Sequence, residues 1–290
     1  MWIYLNDRFV LEKEAKISVF DHGFLYGDGL FETLRAYNGC TFALDKHLKR
    51  LADAARRLQL QIPKASQLND LLHQTLERNN LKNAMLRLTI TRGVNTSPLR
   101  PDLCLKSTLV ITARAFEGYS PERYKKGVSA KIVNTPKSTP TGSGASIKSL
   151  NFLNNILGKL EINPETHFEA LMLSSAGHLS EGTLSNLFWI DRGVLFTPAP
   201  ETGLLEGITR EIVFQLAKEA GIPTEVGCYP PEALLKAEEA FLTNSGIEIL
   251  PLVSIDGKPI GLGQAGRLTQ KLHTALKEQI KQETDQVQET

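Results

Sequence analysis

Cysteine is scarce: Cys40, Cys104 and Cys228 are the only three in 290 residues. So few, and so scattered, cannot form a disulfide framework, which leads to the expectation of a reducing, cytoplasmic setting. No C-x-x-C or H-E-x-x-H pair occurs, so a zinc site has no support. G-x-S-x-G, the commonest sequence sign of an esterase, is missing too. No apolar run approaches the roughly 20 residues of a membrane helix. The opening MWIYLNDRF lacks the basic and apolar regions of a secretory signal. Charge of one sign is also lacking. The 33 basic and 32 acidic residues leave a formal +1, giving no electrostatic reason to expect nucleic acid or an anionic membrane.

What is present reads as a globular enzyme. The 41% hydrophobic and 22% charged fractions belong to a folded chain, and 290 residues suffice for one large domain or two ordinary ones. A hairpin is expected over 2–11, a strand over 30–37, and a return over 40–44 after the Asn38-Gly39 turn. Residues 45–60 carry Leu48, Leu51, Ala55 and Leu58 on one helical face, with Asp45 as the expected N-cap. A second helix is expected over 66–79, and strands over 85–91 and 108–113. EGYSP (117–121) interrupts two strand-rich regions. The expected division is therefore a small α/β domain over 1–117, a linker at 118–121, a larger domain over 122–280, and a fraying polar tail at 281–290. In the larger domain, TPKSTPTGSGAS (135–146) is too polar for core and is a functional-loop candidate. Helices are expected over 149–161 and 209–220, and strands over 128–134, 169–173, 187–190 and 194–196.

Two glycine-rich stretches imitate phosphate loops and fail on context. GLGQAG (261–266) matches G-x-G-x-x-G, but only one helix and a polar tail follow it, where a dinucleotide fold needs a βαβ unit. TGSGASIKS (141–149) has Ile147 where a P-loop needs its second glycine.

Four other segments carry chemistry. Lys148, in ASIKSLNFLNN, follows small residues at the mouth of an apolar helix, where partial desolvation would free a nucleophilic amine. Glu181, in SEGTLSN, sets a carboxylate among small polar groups. Gly207-Ile208-Thr209 opens a helix, whose free N–H groups and dipole favour a phosphate. Asn244-Ser245-Gly246 follows a short strand and could donate to the same group. Each alone also reads as something ordinary: a solvated lysine, a turn carboxylate, a capped helix.

Taken in order, these blocks resemble the class IV (fold type IV) pyridoxal-phosphate enzymes. That family contains branched-chain aminotransferases, D-amino-acid transaminases and 4-amino-4-deoxychorismate lyases. FLYGDGLFETLRAYNG and DKHLKRL match its pattern as well, and the resemblance runs to about residue 276. It implies an α/β (α+β) fold with a small N-terminal domain and a larger, β-barrel-like cofactor domain bearing helices. It also implies pyridoxal 5'-phosphate held on Lys148 as a Schiff base. Arg50, Ile208, Thr209, Asn244 and Ser245 would serve the phosphate, and Glu181 the pyridine nitrogen. The physical logic agrees, because a carboxylate there keeps the nitrogen protonated and the ring electron-withdrawing.

Within the family, Glu32 in GDGLFET matches many transaminases, whereas some lyases carry threonine there. Phe31 stands where several D-amino-acid transaminases have a substrate-contacting tyrosine. TRGVNTSPLRPD resembles their TRG…SPR-x-H segment without its R-x-H pair. Arg100 is then the first candidate for a substrate-carboxylate clamp, with Arg92 and Arg35 behind it. Phe152 cannot supply the hydroxyl that branched-chain enzymes carry shortly after the lysine, and KSLNFLNN is closer to the D-amino-acid type. The implied reaction moves an amino group between an amino acid and a 2-oxo acid by a ping-pong route, with pyruvate-releasing lyase activity as the alternative. A homodimer is implied, with the Arg100 loop approaching the neighbour's cofactor. The stereochemistry of the donor stays open.

Overall fold

The computed structural model describes residues 1–97, 99–138 and 147–286, apart from the side chain of Gln286. From residue 139 onward the expected functional loop lies outside the described residues, as do 287–290 of the expected tail. The chain divides into two compact units. One comprises Met1–Glu117, Ile147–Asn151 and Ile280–Thr290; the other comprises Gly118–Ser146 and Phe152–Gln279.

The first unit is a six-stranded sheet in the order β2-β1-β6-β5-β3-β4. Its strands are β1 (Trp2–Leu5), β2 (Arg8–Leu11), β3 (Gly29–Tyr37), β4 (Cys40–Thr41), β5 (Ala84–Thr91) and β6 (Thr108–Ala115). Every pairing is antiparallel. Period-two alternation gives this sheet two chemically different faces. Leu30, Leu34, Leu86, Leu88 and Ile90 point to one and bury against α2 (Leu44–Arg57) and α3 (Ala65–Arg78) through Leu48, Leu51, Leu68, Leu72 and Leu76. Phe31, Thr33, Arg35 and Arg87 point to the other, with Thr33 directly opposite Arg87.

Three local expectations are corrected here. The strand expected over 40–44 is only two residues long. Asp45 is not the cap of α2 but lies in its first turn. The N-cap is Ala43, in the left-handed region at φ 51°, and Glu283 accepts its N–H at 2.7 Å. Between β2 and β3 the sequence predicts a loop at Asp21-His22-Gly23, but Asp21 caps a short helix, α1 (His22–Tyr26); its carboxylate also accepts from the Thr91 and Thr108 hydroxyls.

The second unit opens with α4 (Pro121–Lys126), so EGYSP leads straight into a helix with Pro121 at its start. Its strands are β7 (Val128–Ile132), β8 (Glu169–Leu173), β9 (Leu179–Gly182), β10 (Asn186–Asp191), β11 (Val194–Pro198), β12 (Thr224–Gly227), β13 (Glu239–Asn244), β14 (Glu248–Ile255) and β15 (Lys258–Pro259). The order β10-β13-β14-β7-β8-β9 closes on itself because β9 also pairs with β10. That ring is a barrel filled by Leu171, Leu187, Trp189, Leu242, Leu250 and Leu252. Helices α5 (Leu153–Leu160), α6 (Ile208–Glu219), α7 (Pro231–Leu235) and α8 (Arg267–Gln286) complete the chain. The expected helix 149–161 begins four residues late, at Leu153. The segment expected to fray is helical through Gln286, with Thr284 buried. No described helix is long and apolar enough to cross a membrane.

Candidate active site

Lys148 belongs to the first unit and is not on a helix. It extends along β3: its carbonyl accepts from Phe31 N at 3.1 Å, and Leu150 N donates to the Gly29 carbonyl at 3.0 Å. This edge pairing fixes the lysine's backbone on the sheet, and its Nζ lies 4.5 Å from the centroid of the Phe31 ring. On the helix-covered face, Glu32 is 1% exposed and chelates Arg50, with Nε at 2.8 Å and an NH2 at 2.6 Å. His47 Nδ1, one turn earlier on α2, lies 2.8 Å from the same carboxylate. Burial opposes the charge of Glu32, but the His47 hydrogen bond and the Arg50 guanidinium outweigh it and bring its pKa down to about 2. Burial also pulls His47 below its ordinary value, more strongly than Glu32 and its hydrogen bond raise it. Glu32 is thus a fixed anion that aims an arginine, not an exchangeable acid.

The three arginines expected to clamp a substrate are all engaged. Arg35 is 4% exposed and stacks on Tyr37 and Phe116 at 4.6 and 4.3 Å. Arg92 chelates Asp28 at 2.5 and 3.1 Å and caps the end of α2 through the Leu58 carbonyl. Arg100 is exposed and ion-paired with Asp102 at 2.8 and 2.6 Å. Arg87, not singled out from the sequence, lies on the Phe31 face. Its guanidinium carbon lies 3.8 Å from the Phe31 ring centroid, beside the ring that Lys148 also approaches. Arg87 is solvent-exposed on this face, partial desolvation lowers its pKa, and among the described residues it has no ion-pair partner. The signal was available, because a lone charge two residues from Thr89 on the Phe31 face interrupts an otherwise apolar and hydroxylated strand.

In the second unit, Glu181 lies one residue before the end of β9 and is 6% exposed. One carboxylate oxygen accepts from Asn186 Nδ2 at 3.1 Å and Leu205 N at 3.0 Å; the other meets Lys137 Nζ at 2.6 Å. Asn186 in turn donates to the Leu205 carbonyl at 2.7 Å. A Cβ on Gly207 would stand 2.1 Å from Asn186 Oδ1, so only glycine lets the start of α6 come this close. Helix α6 then opens on Ile208 and Thr209 with no side-chain cap, leaving first-turn N–H groups for a ligand. Arg210, on the same turn, is 4% exposed, and its Nε has no hydrogen-bond partner among the described residues. The Asn244 side chain is engaged at both ends: its Oδ1 accepts from Gly246 N at 2.8 Å and Ile247 N at 2.9 Å, and its Nδ2 donates to the Leu184 carbonyl at 2.9 Å. Ser245, at the tip of that turn, is half-buried. The structure thus gathers Glu181 with the opening of α6 in one unit, and Lys148, Phe31 and the Glu32–Arg50 pair in the other.

The profile of the family described as Amino-transferase class IV matches residues 29–255. The chain is 41% identical over 279 residues to a putative branched-chain-amino-acid aminotransferase of Methanocaldococcus jannaschii, covering 96% of each protein. It is 37% identical to the aminodeoxychorismate lyase of Bacillus subtilis, over 96% of this chain and 94% of that protein. The solved branched-chain amino acid aminotransferase of Escherichia coli superposes with a TM-score of 0.91 at 29% identity, covering 96% of this chain and 94% of that one. The chain belongs to the class IV aminotransferase family, whose members are pyridoxal-phosphate-dependent enzymes.

Proposed function

We propose that the protein is a transaminase that moves an amino group between a small aliphatic amino acid and a 2-oxo acid, alternating between the two half-reactions. The observation that carries this reading is Arg87: a guanidinium with no anionic partner among the described residues, against the same phenyl ring as the Lys148 amine. A substrate carboxylate is the anion such a group lacks, and a planar fork binds it in two places. Arg87 therefore takes the clamping role in place of Arg100, Arg92 and Arg35.

The residues suit the family's cofactor. Glu181 is a carboxylate fixed by three donors, as a ring nitrogen requires. The uncapped opening of α6 at Ile208 and Thr209, with Ser245 and the Glu32-aimed Arg50, supplies phosphate donors. When bound, pyridoxal phosphate supplies an electron sink for the pair left on the substrate's Cα. Lys148 Nζ would anchor it and, once freed by the substrate, would carry a proton between the substrate's Cα and the cofactor carbon, in one direction for the amino acid and in the other for the 2-oxo acid. Glu181 holds the proton on the ring nitrogen, Arg87 orients the substrate through its carboxylate, and Phe31 walls the apolar side. The protein works as a homodimer in the cytoplasm.

Lyase chemistry on aminodeoxychorismate is the second reading, favoured by the 37% identity to the Bacillus subtilis lyase over nearly the whole chain. One experiment separates the two. The holoenzyme is mixed with D- or L-alanine, leucine, valine or glutamate and no acceptor. Bleaching of its visible band by an amino acid supports the transaminase. No response to any donor, with pyruvate released from aminodeoxychorismate, replaces it with the lyase.

A further inference from the structure

Glu181 already has a cation on it. Lys137 Nζ stands 2.6 Å from one of its oxygens, and both side chains are more than nine-tenths buried, at 9% and 7% exposure. The lysine is held from behind, because its backbone N–H donates to the Leu173 carbonyl on β8 at 2.7 Å, tying the end of 133–137 to the barrel wall. Such a pair is costly to bury unless each partner is well satisfied, so its retention beside a functional carboxylate asks for a use.

We propose that Lys137 is a positioning residue that shares the Glu181 carboxylate with the ring nitrogen of the bound cofactor and so loosens that nitrogen's hold on its proton. This rests on the reading of Glu181 as the ring-nitrogen partner. A carboxylate accepting from Asn186 and Leu205 on one oxygen and an ammonium on the other cannot lend its full charge to a further cation. Two hydrogen bonds to one carboxylate also bring their donors within about 5 Å of each other. At that distance, in the partly screened interior, like charges repel by a few kcal/mol in the unrelaxed limit. The other charged groups facing Glu181 are on α6 and the segment before it: Arg210, whose positive charge Glu181 favours, and Glu206 beside Arg210. Arg210 works in the same direction as Lys137 and Glu206 against it; Lys137 is paired directly with the carboxylate. The result is a ring nitrogen that is protonated but poised.

The test follows the ring nitrogen directly. Holoenzyme loaded with pyridoxal phosphate carrying 15N in the ring is titrated with pH, and the nitrogen's chemical shift is read for wild type, Lys137→Met, Lys137→Arg and Glu181→Gln. Lys137→Met should move the protonation midpoint up by at least about one pH unit, while Lys137→Arg, which keeps the charge, stays near wild type. Should the Met variant not fold, Lys137→Gln keeps a donor without the charge and is expected to show the same upward move. An unmoved midpoint in the uncharged variant overturns the proposal. A midpoint unmoved in Glu181→Gln overturns the underlying reading of Glu181 instead, so the two failures are told apart.

Discussion

Two side chains against Phe31 carry most of the proposed chemistry, and each has its own test. Borohydride reduction of the holoenzyme followed by peptide mapping should place the pyridoxyl group on Lys148; Lys137 and Lys159 are occupied by Glu181 and Glu169, and a label on either would refute the assignment. Arg87→Gln should raise KM for amino acids about tenfold or more, the loss of one charge-assisted contact, and leave KM for a primary amine without a carboxylate nearly unchanged. Equal damage to both would make Arg87 structural. Glu32 gives a pH prediction. Its folded pKa of about 2 lies below its ordinary 4.5, so the native state binds fewer protons than the unfolded chain. The stabilisation is therefore present above pH ~4.5 and drains away as pH falls toward ~2, on the order of 3 kcal/mol in all. The depressed His47 acts in the same direction, since acid must charge an imidazole that the fold keeps neutral. Denaturant melts across that range should show a steep acid limb in wild type and a flatter one in Glu32→Gln. Parallel limbs would mean that the carboxylate is not held as an anion.

At the scale of elements, Glu169 at the start of β8 organises the turn that carries Glu181. Its carboxylate accepts from Thr183 Oγ1 at 2.6 Å, Ser185 Oγ at 2.9 Å, Ala170 N at 2.9 Å and Lys159 Nζ at 3.1 Å. Glu169→Ala strips the buried Thr183 and Ser185 hydroxyls of their acceptor and should cost about 1–3 kcal/mol in urea melts; a loss well under about 1 kcal/mol would show that the turn holds itself. None of this was readable beforehand, because Glu169 looks like any strand-end acid until β9 folds back over it. Legibility followed the range of the cause. Leu48, Leu51 and Ala55 announced α2 through local periodicity, and the K-S-L-N, E-G and G-I-T blocks announced the family. Asp45 misled because the chain enters α2 through a left-handed Ala43, whose N–H is held by Glu283, more than two hundred residues away. Helix 149–161 was drawn too long because Lys148 and Leu150 spend their backbone groups on β3, a pairing that helical periodicity in 153–160 conceals. Arg100 drew attention by its motif, yet its neighbour Asp102 pairs with it, while the lone charge of Arg87 was visible in β5 but its place beside Phe31 came from a cross-strand register.

For the whole molecule, the chain alone leaves α5 unfinished. Leu153, Ile156, Leu157 and Leu160 recur at the i, i+3, i+4, i+7 spacing of one helical face, and all four are between 47% and 75% exposed. The opposite face is the buried one, with Gly158 packed near Thr183, Met172 and Val133. An amphipathic helix normally turns its apolar stripe inward, so a stripe turned outward beside the exposed Leu184 is a surface awaiting a cover. A second copy can provide it: under a twofold axis the same stripe meets itself, burying apolar surface on both sides at about 25 cal/mol per Å². Sedimentation at micromolar concentration should therefore find a dimer. The double variant Leu157→Glu with Leu160→Glu should sediment as a monomer, because each new carboxylate would face its own copy across the axis and lose its water. Because the residues proposed for chemistry lie elsewhere in the sequence, its thermal transition should persist at reduced temperature and not vanish. A wild-type monomer with full activity would remove the dimer from the account. A variant that stays dimeric would move the interface off α5, leaving the exposed stripe of Leu153, Ile156, Leu157 and Leu160 to some other cover.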